Sequence, residues 1–392
     1  MAEFTGQYRE DKMQYQLTEE QKVFRRQVRR LAEEKIAPRA VERDEKGEFP
    51  WDVIEEFRRN GIFSVFFPAA YGGLESGLLT CCLVVEEVGR ASGTCGVILC
   101  GHNVGSLPII RAGNEEQKNK YLPKLARGEY LVNVGITESG AGSDVASMTT
   151  RAVCKGDEYV INGTKRFISM ANLVDILIVF AKTDPDEGMR GISAFIVEKG
   201  AKGFSVEKVE EKMGMHAVPT CEVIFDDCRI SAGNLIGKEG QGFITAMLSF
   251  NHTRVLIAAL GVGLAQGALD YAVDYAQQRV QFGRPIAAFQ GIQFMLADMA
   301  TEVEAARQLT YSAAAEGETG EKDAARFASM AKYFSTDTAM RVTTDSVQIL
   351  GGYGYMKDYP LELKMREAKA LQILEGTNQI QRVIVAKSLL KV

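Results

Sequence analysis

Lys369 to Arg382 reads KALQILEGTNQIQR. Apolar residues run through Ala370, Leu371, Ile373 and Leu374, and a carboxylate, Glu375, stands directly before Gly376. A glycine past the last periodic residue stops a helix, because without a Cβ it enters the left-handed region freely. Asn378, with Gln381 three residues on, has the pattern of a capping box opening a new helix. Glu375 therefore falls at a break between two helices, with apolar neighbours on its own turn. Poor solvation there raises a carboxyl pKa, the direction a general base working near neutral pH needs. A solvated glutamate at a helix end fits the same residues, and a lone motif does not separate the two.

Around this stretch the helical period holds from Phe243 to the end. Phe243, Met247, Phe250, Arg254 and Ile257 share one face. Ile292, Met295, Met299, Val303, Ala306 and Leu309 make another, and Ala324 to Leu350 a third. Few breakers interrupt them, which predicts a four-helix-bundle-like domain over 243–392. Before it the grammar is that of strands: Val132 to Ile136, Glu158 to Ile161, Ile176 to Ala181, Ile192 to Val197 and Glu222 to Phe225 are short and β-branched. Turns such as Lys155-Gly156-Asp157 and Asn162-Gly163 separate them, and Gly233 to Gly242 ends the series. With no helices between the strands, a β-barrel or sandwich is expected over 131–242.

Residues 1–130 read as an N-terminal helical domain. Thr18 and Gln21 form a capping box ahead of Phe24, Val28, Leu31 and Ile36, and Pro38 ends that helix or bends it. Trp51 to Phe63, the apolar Leu78 to Gly89 and Val97 to Ala112, and the amphipathic Asn114 to Arg127 follow. The order α, β, α defines an α+β multidomain fold.

A chain of 392 residues is long for one core, which agrees with several domains. A net charge of -5 argues against a nucleic-acid surface and offers no polybasic membrane patch. Seven cysteines without C-x-x-C spacing point to reduced thiols rather than a disulfide framework or zinc site. His102, His216 and His252 are too dispersed for a local metal motif, so no metal is expected. The start, MAEFTGQYREDK, lacks the apolar core of a signal peptide. Val255 to Ala265, the most apolar stretch, reads as glycine-interrupted and too short to span a bilayer. A soluble intracellular protein is expected, cytoplasmic in a bacterium or in the mitochondrial matrix if the chain is a processed eukaryotic one.

Gly140-Ala141-Gly142-Ser143-Asp144 follows the strand Val132 to Ile136. Closely spaced glycines let backbone N–H groups approach a phosphate or a flat cofactor, though an ordinary turn fits as well. No Lys-Ser or Lys-Thr follows, so it is no P-loop, and Val145 replaces the third glycine of a Rossmann fingerprint. Gly261-Val262-Gly263 with Gly267 lies in an apolar helical pattern and reads as close helix packing. Arg254, among apolar residues, needs a partner, and an anionic ligand and an internal carboxylate are equally good candidates. Arg279-Val280-Gln281-Phe282-Gly283 and Gln348-Ile349-Leu350-Gly351-Gly352 each close a helix.

In this order, Thr137-Glu138-Ser139-Gly140-Ala141-Gly142-Ser143-Asp144, Arg279 to Gly283, Gln348 to Gly352 and Glu375-Gly376-Thr377-Asn378-Gln379-Ile380-Gln381-Arg382 resemble the acyl-CoA dehydrogenase family over almost the whole chain. The resemblance implies FAD held between the β domain and the C-terminal helices. Residues 134 to 143, among them Val134, Ile136, Thr137, Gly142 and Ser143, would line the flavin, with Phe167 against the ring and Ser169 near N5. Arg279, Phe282, Gln290, Gln348, Gly351 and Gly352 would reach the FAD of a neighbouring subunit, and Thr377, Asn378 and Gln379 that of their own. Ser143, Asn251, Arg254 and Gly376 match positions contacting the CoA ester. Ser139, Phe167 and Ser169 stand where many relatives have Pro, Trp and Thr, and keep size class or hydrogen-bonding ability.

The resemblance makes Glu375 the catalytic base. The thioester carbonyl would accept from the Glu375 backbone N–H and a ribityl hydroxyl, each donor stabilising the enolate by about 3–4 kcal/mol. The base itself is worth about 10²–10⁴-fold. Some relatives carry their base near Thr253, which here holds no carboxylate. Ala91 to Leu107 should line the acyl pocket and contains no Lys, Arg, Asp or Glu. The expected substrate is therefore a neutral short-chain, branched or alicyclic acyl-CoA rather than a dicarboxylate. The family also implies an electron-transfer flavoprotein as acceptor and a homotetramer. An acyl-CoA oxidase using oxygen and a non-catalytic acyl-CoA-binding flavoprotein are the rival readings.

Overall fold

The computed structural model describes residues 16–319 and 323–390; the opening stretch Met1 to Lys12 lies outside them. Helix α1 (Glu19–Leu31) starts at the expected capping box, with Gln21 N–H donating to Thr18 Oγ1 and Thr18 N–H to Gln21 Oε1. Pro38 bends the chain through a π turn (Ala32–Ile36) and a 3-10 turn (Ala37–Arg39) into α2 (Ala40–Lys46). Then come α3 (Trp51–Arg59), α4 (Gly77–Ala91), α5 (Gly93–Ala112) and α6 (Glu115–Ala126).

The middle region is one mixed sheet of β1 (Val132–Gly135), β2 (Arg151–Lys155), β3 (Glu158–Ser169), β4 (Ile176–Lys182), β5 (Ile192–Glu198), β6 (Phe204–Val209), β7 (Thr220–Ser231) and β8 (Leu235–Ile236). The order is β6-β7-β3-β2-β4-β5-β8, with β1 parallel to β4. Asn162-Gly163 is not the turn its sequence suggests. Strand β3 runs through it as a bulge against β7, and Gly163 at φ +148° lets the backbone close on Thr150. Gly156, at φ +70°, does make the tight turn between β2 and β3. Strands β2 and β6 have no counterpart among the expected strands, because charged residues on their exposed faces dilute the apolar signal.

Strand β4 joins the layers. Ile176, Ile178 and Phe180 pack into the helical core, while Leu177, Val179 and Ala181 pack inside the β layer. Alternation along a strand buried on both faces produces its continuous apolar sequence.

The C-terminal helices are α7 (Gly242–Gln278), α8 (Gln290–Thr319), α9 (Ala324–Leu350), α10 (Leu361–Leu371) and α11 (Asn378–Leu390). Helix α7 packs against α4, α5, α8 and α9. A Cβ on Gly263 would sit 2.1 Å from Glu86 O, and one on Gly267 2.1 Å from Arg90 O. These glycines serve close packing, as their apolar setting implies. The apolar stretch Val255 to Ala265, too short by itself to span a bilayer, lies within α7: α7 and α5 are both long and apolar enough to cross a membrane, yet protein buries 78% and 83% of their most apolar windows.

Candidate active site

Helix α10 stops at Leu371, and Ala370 O accepts from the Ile373 and Leu374 N–H groups at 3.0 Å. The backbone turns left-handed already at Glu375 (φ +53°) and continues so at Gly376 (φ +92°). Such a conformation costs a non-glycine residue about 1–3 kcal/mol and persists only where its surroundings hold it. Arg254 Nε and Gln381 Nε2 each lie 3.4 Å from Glu375 O, and Gln381 Nε2 and Lys332 Nζ donate to Gly376 O at 3.1 and 2.8 Å.

Those bonds pre-empt the expected capping box. Gln381 is committed to the turn's carbonyls, and Asn378 points inward, accepting from Lys332 (2.9 Å) and donating to Asp337 Oδ1 (2.8 Å). Thr377 is the cap instead, its hydroxyl accepting from Ile380 N–H at 3.3 Å. The Asn378 side chain is thus unavailable to a ligand. The Glu375 backbone N–H has no partner among the described residues.

The Glu375 carboxyl opens onto a cavity of about 470 Å³ between α5, α7, α11 and the sheet. Burial pushes its pKa up to about 7, against the lowering effects of Thr253, whose hydroxyl donates to Oε2, then of Arg254 and Lys332. Val134, Ile136, Thr137, Gly142, Ser143, Phe167, Ser169, Arg254 and Gly376 line the same cavity. Phe167 reaches it through a bulge in β3 between Lys165 and Ile168, which leaves its backbone at φ +59° and its ring 59% exposed.

Arg254 is buried, and no carboxylate oxygen lies within 4.0 Å of its guanidinium among the described residues. Its Nη1 donates to Asn251 Oδ1 at 2.9 Å. Asn251 does not line the cavity and acts on it by holding Arg254.

The remaining expected residues lie elsewhere. Arg279, Gly351 and Gly352 border a second cavity of about 430 Å³ together with Tyr275 and Tyr353. Phe282 projects into solvent, 95% exposed, with φ +50°. Gln290, Gln348 and Gln379 are exposed, Thr377 is half-buried, and none of the four lines either cavity. On one chain these residues do not meet the Glu375 group.

Sequence reasoning missed Lys332, the Thr253 bond to Glu375, and the pairing of Glu138 with Lys165 behind the cavity wall. Lys332 carried a signal: it is a lone cation in the inward stripe Ala328, Ala331, Ser335, Ala339 of α9.

The residues present fit a flat, anionic ligand such as FAD beside a second anionic one. A half-exposed aromatic ring, an unmatched guanidinium and a free backbone N–H all border the cavity. Gly140 and Gly142 leave their backbone open, with nothing within 4 Å of where a Cβ would stand.

Comparisons with known proteins agree. Models of the acyl-CoA dehydrogenase N-terminal, middle and C-terminal domains match residues 18–129, 133–228 and 240–390. The chain is 49% identical to an acyl-CoA dehydrogenase of Bacillus subtilis over 95% of its own length and 99% of that protein. It is also 49% identical, with the same coverage, to a cyclohex-1-ene-1-carbonyl-CoA dehydrogenase of Geobacter metallireducens. The solved butyryl-CoA dehydrogenase of Megasphaera elsdenii superposes with a TM-score of 0.93 at 41% identity, covering 96% of this chain and 99% of that one. The fold and site are those of a flavin-dependent oxidoreductase. The chain belongs to the acyl-CoA dehydrogenase family, with FAD as its cofactor and acyl-CoA as its substrate class.

Proposed function

We propose that this enzyme dehydrogenates a neutral short-chain, branched or alicyclic acyl-CoA to the 2-enoyl-CoA, with Glu375 as its sole base. The carrying observation is the Glu375 carboxyl, held at a cavity by a left-handed turn with its pKa raised to about 7. At that value a carboxylate is present at neutral pH and basic enough to take an α-proton. The unpaired Glu375 N–H is a donor for the thioester oxygen, where negative charge develops as the proton leaves. Bound FAD supplies the hydride acceptor. Arg254, fixed by Asn251, is the cation for the CoA ester end, and Thr253 orients the carboxylate.

Neutrality of the acyl chain is supported by the wall. Helix α5 contributes Val97, Cys100, Gly101 and Val104, and among the described residues the charged lining ones are Arg254, Glu375 and Lys387. A distal carboxylate would meet no cation on α5. The butyryl- and cyclohexene-carbonyl-CoA enzymes among its relatives suit the same reading.

The proposed electron acceptor is an electron-transfer flavoprotein and the proposed assembly a homotetramer, in the cytoplasm, where thiols stay reduced. In support of assembly, Tyr353 and Met356 are exposed at the second cavity, and Phe282 is exposed next to its lining residue Gln281. Anaerobic bleaching of the flavin across a panel of acyl-CoA thioesters tests reaction class and chain preference together. Preference for glutaryl-CoA would reject the neutral-chain reading, and peroxide release under air would favour an oxidase.

A further inference from the structure

Lys332 is fully buried on α9, and the chemistry above leaves it without a task. Burying an ammonium is costly unless it is well paired, so its retention needs a reason. It donates to Gly376 O at 2.8 Å and to Asn378 Oδ1 at 2.9 Å, and neither acceptor is charged. Both belong to the segment that carries Glu375. Among the described residues no other side chain of α9 bonds the Gly376 carbonyl, and Asn378 is fixed further by Thr336 and Asp337 of the same helix.

We propose that Lys332 is a positioning residue for proton abstraction: it ties the left-handed Glu375–Gly376 turn to α9 and supplies, with Arg254, the positive field that keeps the Glu375 carboxyl ionisable. This rests on Glu375 being the base. The groups acting on that carboxyl are Thr253 and Arg254 from α7, Cys100 from α5 and Lys332 from α9, and Lys387 of α11 lines the same cavity. Asp337 of α9 also faces Lys332, but it is engaged by Arg382 at 2.7 Å. Burial draws Lys332 down to about 7, opposed by the Glu375 charge, the range into which Glu375 itself rises. Removing the cation leaves Glu375 harder to ionise, so its ionisation moves to higher pH.

The test uses FAD-loaded wild type, Lys332→Met and Lys332→Gln, with the best thioester of the panel. The rate of anaerobic flavin bleaching is followed from about pH 5.5 to about pH 9.5, a span covering both limbs of a base near neutrality. Both variants are expected to move the rising limb up by about one pH unit, as loss of a nearby opposite charge does. Lys332→Met, which also loses its donor, should show a plateau about tenfold lower, and Lys332→Gln a smaller drop. A merely structural staple would change the plateau and leave the limb in place, and that result overturns the proposal. Loss of FAD from both variants also overturns it, because the role proposed for Lys332 is at the Glu375 carboxyl and not in holding the cofactor. If no thioester bleaches wild type, the underlying function fails and this inference with it. If wild type bleaches and both variants share its limb, only this inference fails.

Discussion

Lys165 Nζ lies 2.8 Å from Glu138 Oε1, both side chains buried behind the wall that Ile136, Thr137, Gly142 and Ser143 present to the cavity. Lys165 also donates to Ile136 O at 3.1 Å, and Glu138 accepts from the backbone and hydroxyl groups of Thr149 and Thr150. The pair thus pins the 136–143 loop to β3, the strand that carries Phe167 and Ser169. Lys165→Met leaves a buried carboxylate without its cation and should cost about 3–5 kcal/mol. Adding Glu138→Gln should recover part of that loss. Urea denaturation of wild type and the two variants measures both changes.

Those same contacts hold the Glu138 carboxyl down at about 2, with the Lys165 charge the largest opposing influence to burial. A carboxyl depressed in the folded state contributes stability that is full above its unfolded value, near 4, and lost as pH falls towards 2. Wild type should therefore lose stability over that interval, and Glu138→Gln should show a flatter profile. Thermal melts from about pH 5 down to about pH 2 read the difference.

Glu375→Gln should keep its FAD and lose flavin bleaching by about 10²–10⁴-fold. In wild type the bleaching rate should rise as pH passes through about 7, because only the ionised carboxyl accepts the proton. Stability runs the other way. The native state holds a proton that the unfolded chain releases at lower pH, so ionisation at pH 8 strains the fold. Glu375→Gln should accordingly melt above wild type at about pH 8 and level with it at about pH 4.

Thr253→Val removes the hydroxyl that donates to Glu375 Oε2 while keeping the side chain's shape. The hydrogen bond lowers the Glu375 pKa, so its loss should move the rising limb of bleaching to higher pH. Thr253→Ser should restore the wild-type limb. Equal limbs in all three proteins would show that the hydroxyl bond to Phe250 O, not the one to Glu375, is its working contact.

The face Phe243, Met247, Phe250, Arg254, Ile257 was legible because a long helix repeats one local rule, and the whole of it lines the cavity. Glu375 was legible as a helix break, but not the hand of its own backbone, since Arg254, Gln381 and Lys332 impose that turn from elsewhere in the chain. Asn162-Gly163 misled for a similar reason: the local turn signal yields to pairing with β7, whose residues lie some sixty positions on. Asn378 and Gln381 match a capping pattern, yet tertiary partners claim both side chains. Arg279 and Gly351 were expected to reach a neighbouring subunit's FAD rather than the Glu375 site, and on a single chain they border a separate cavity.

Gly263 is the point where α7 and α4 approach by backbone, the carbonyl of Glu86 lying 2.1 Å from where a Cβ would stand. The obstacle is main chain, so no rotamer change relieves it, and Gly263→Ala must push the helices apart. Such overpacking costs about 1–3 kcal/mol or more. The displacement would also strain Glu86, whose carboxylate accepts from Arg25 at 2.7 Å and Arg307 at 3.0 Å. Gly291→Ala is the control, since nothing lies within 4 Å of its Cβ position at the exposed start of α8. Guanidinium denaturation should show a clear drop in midpoint for the first variant and none for the second. Equal midpoints would mean that α4 and α7 have slack that their backbone spacing denies.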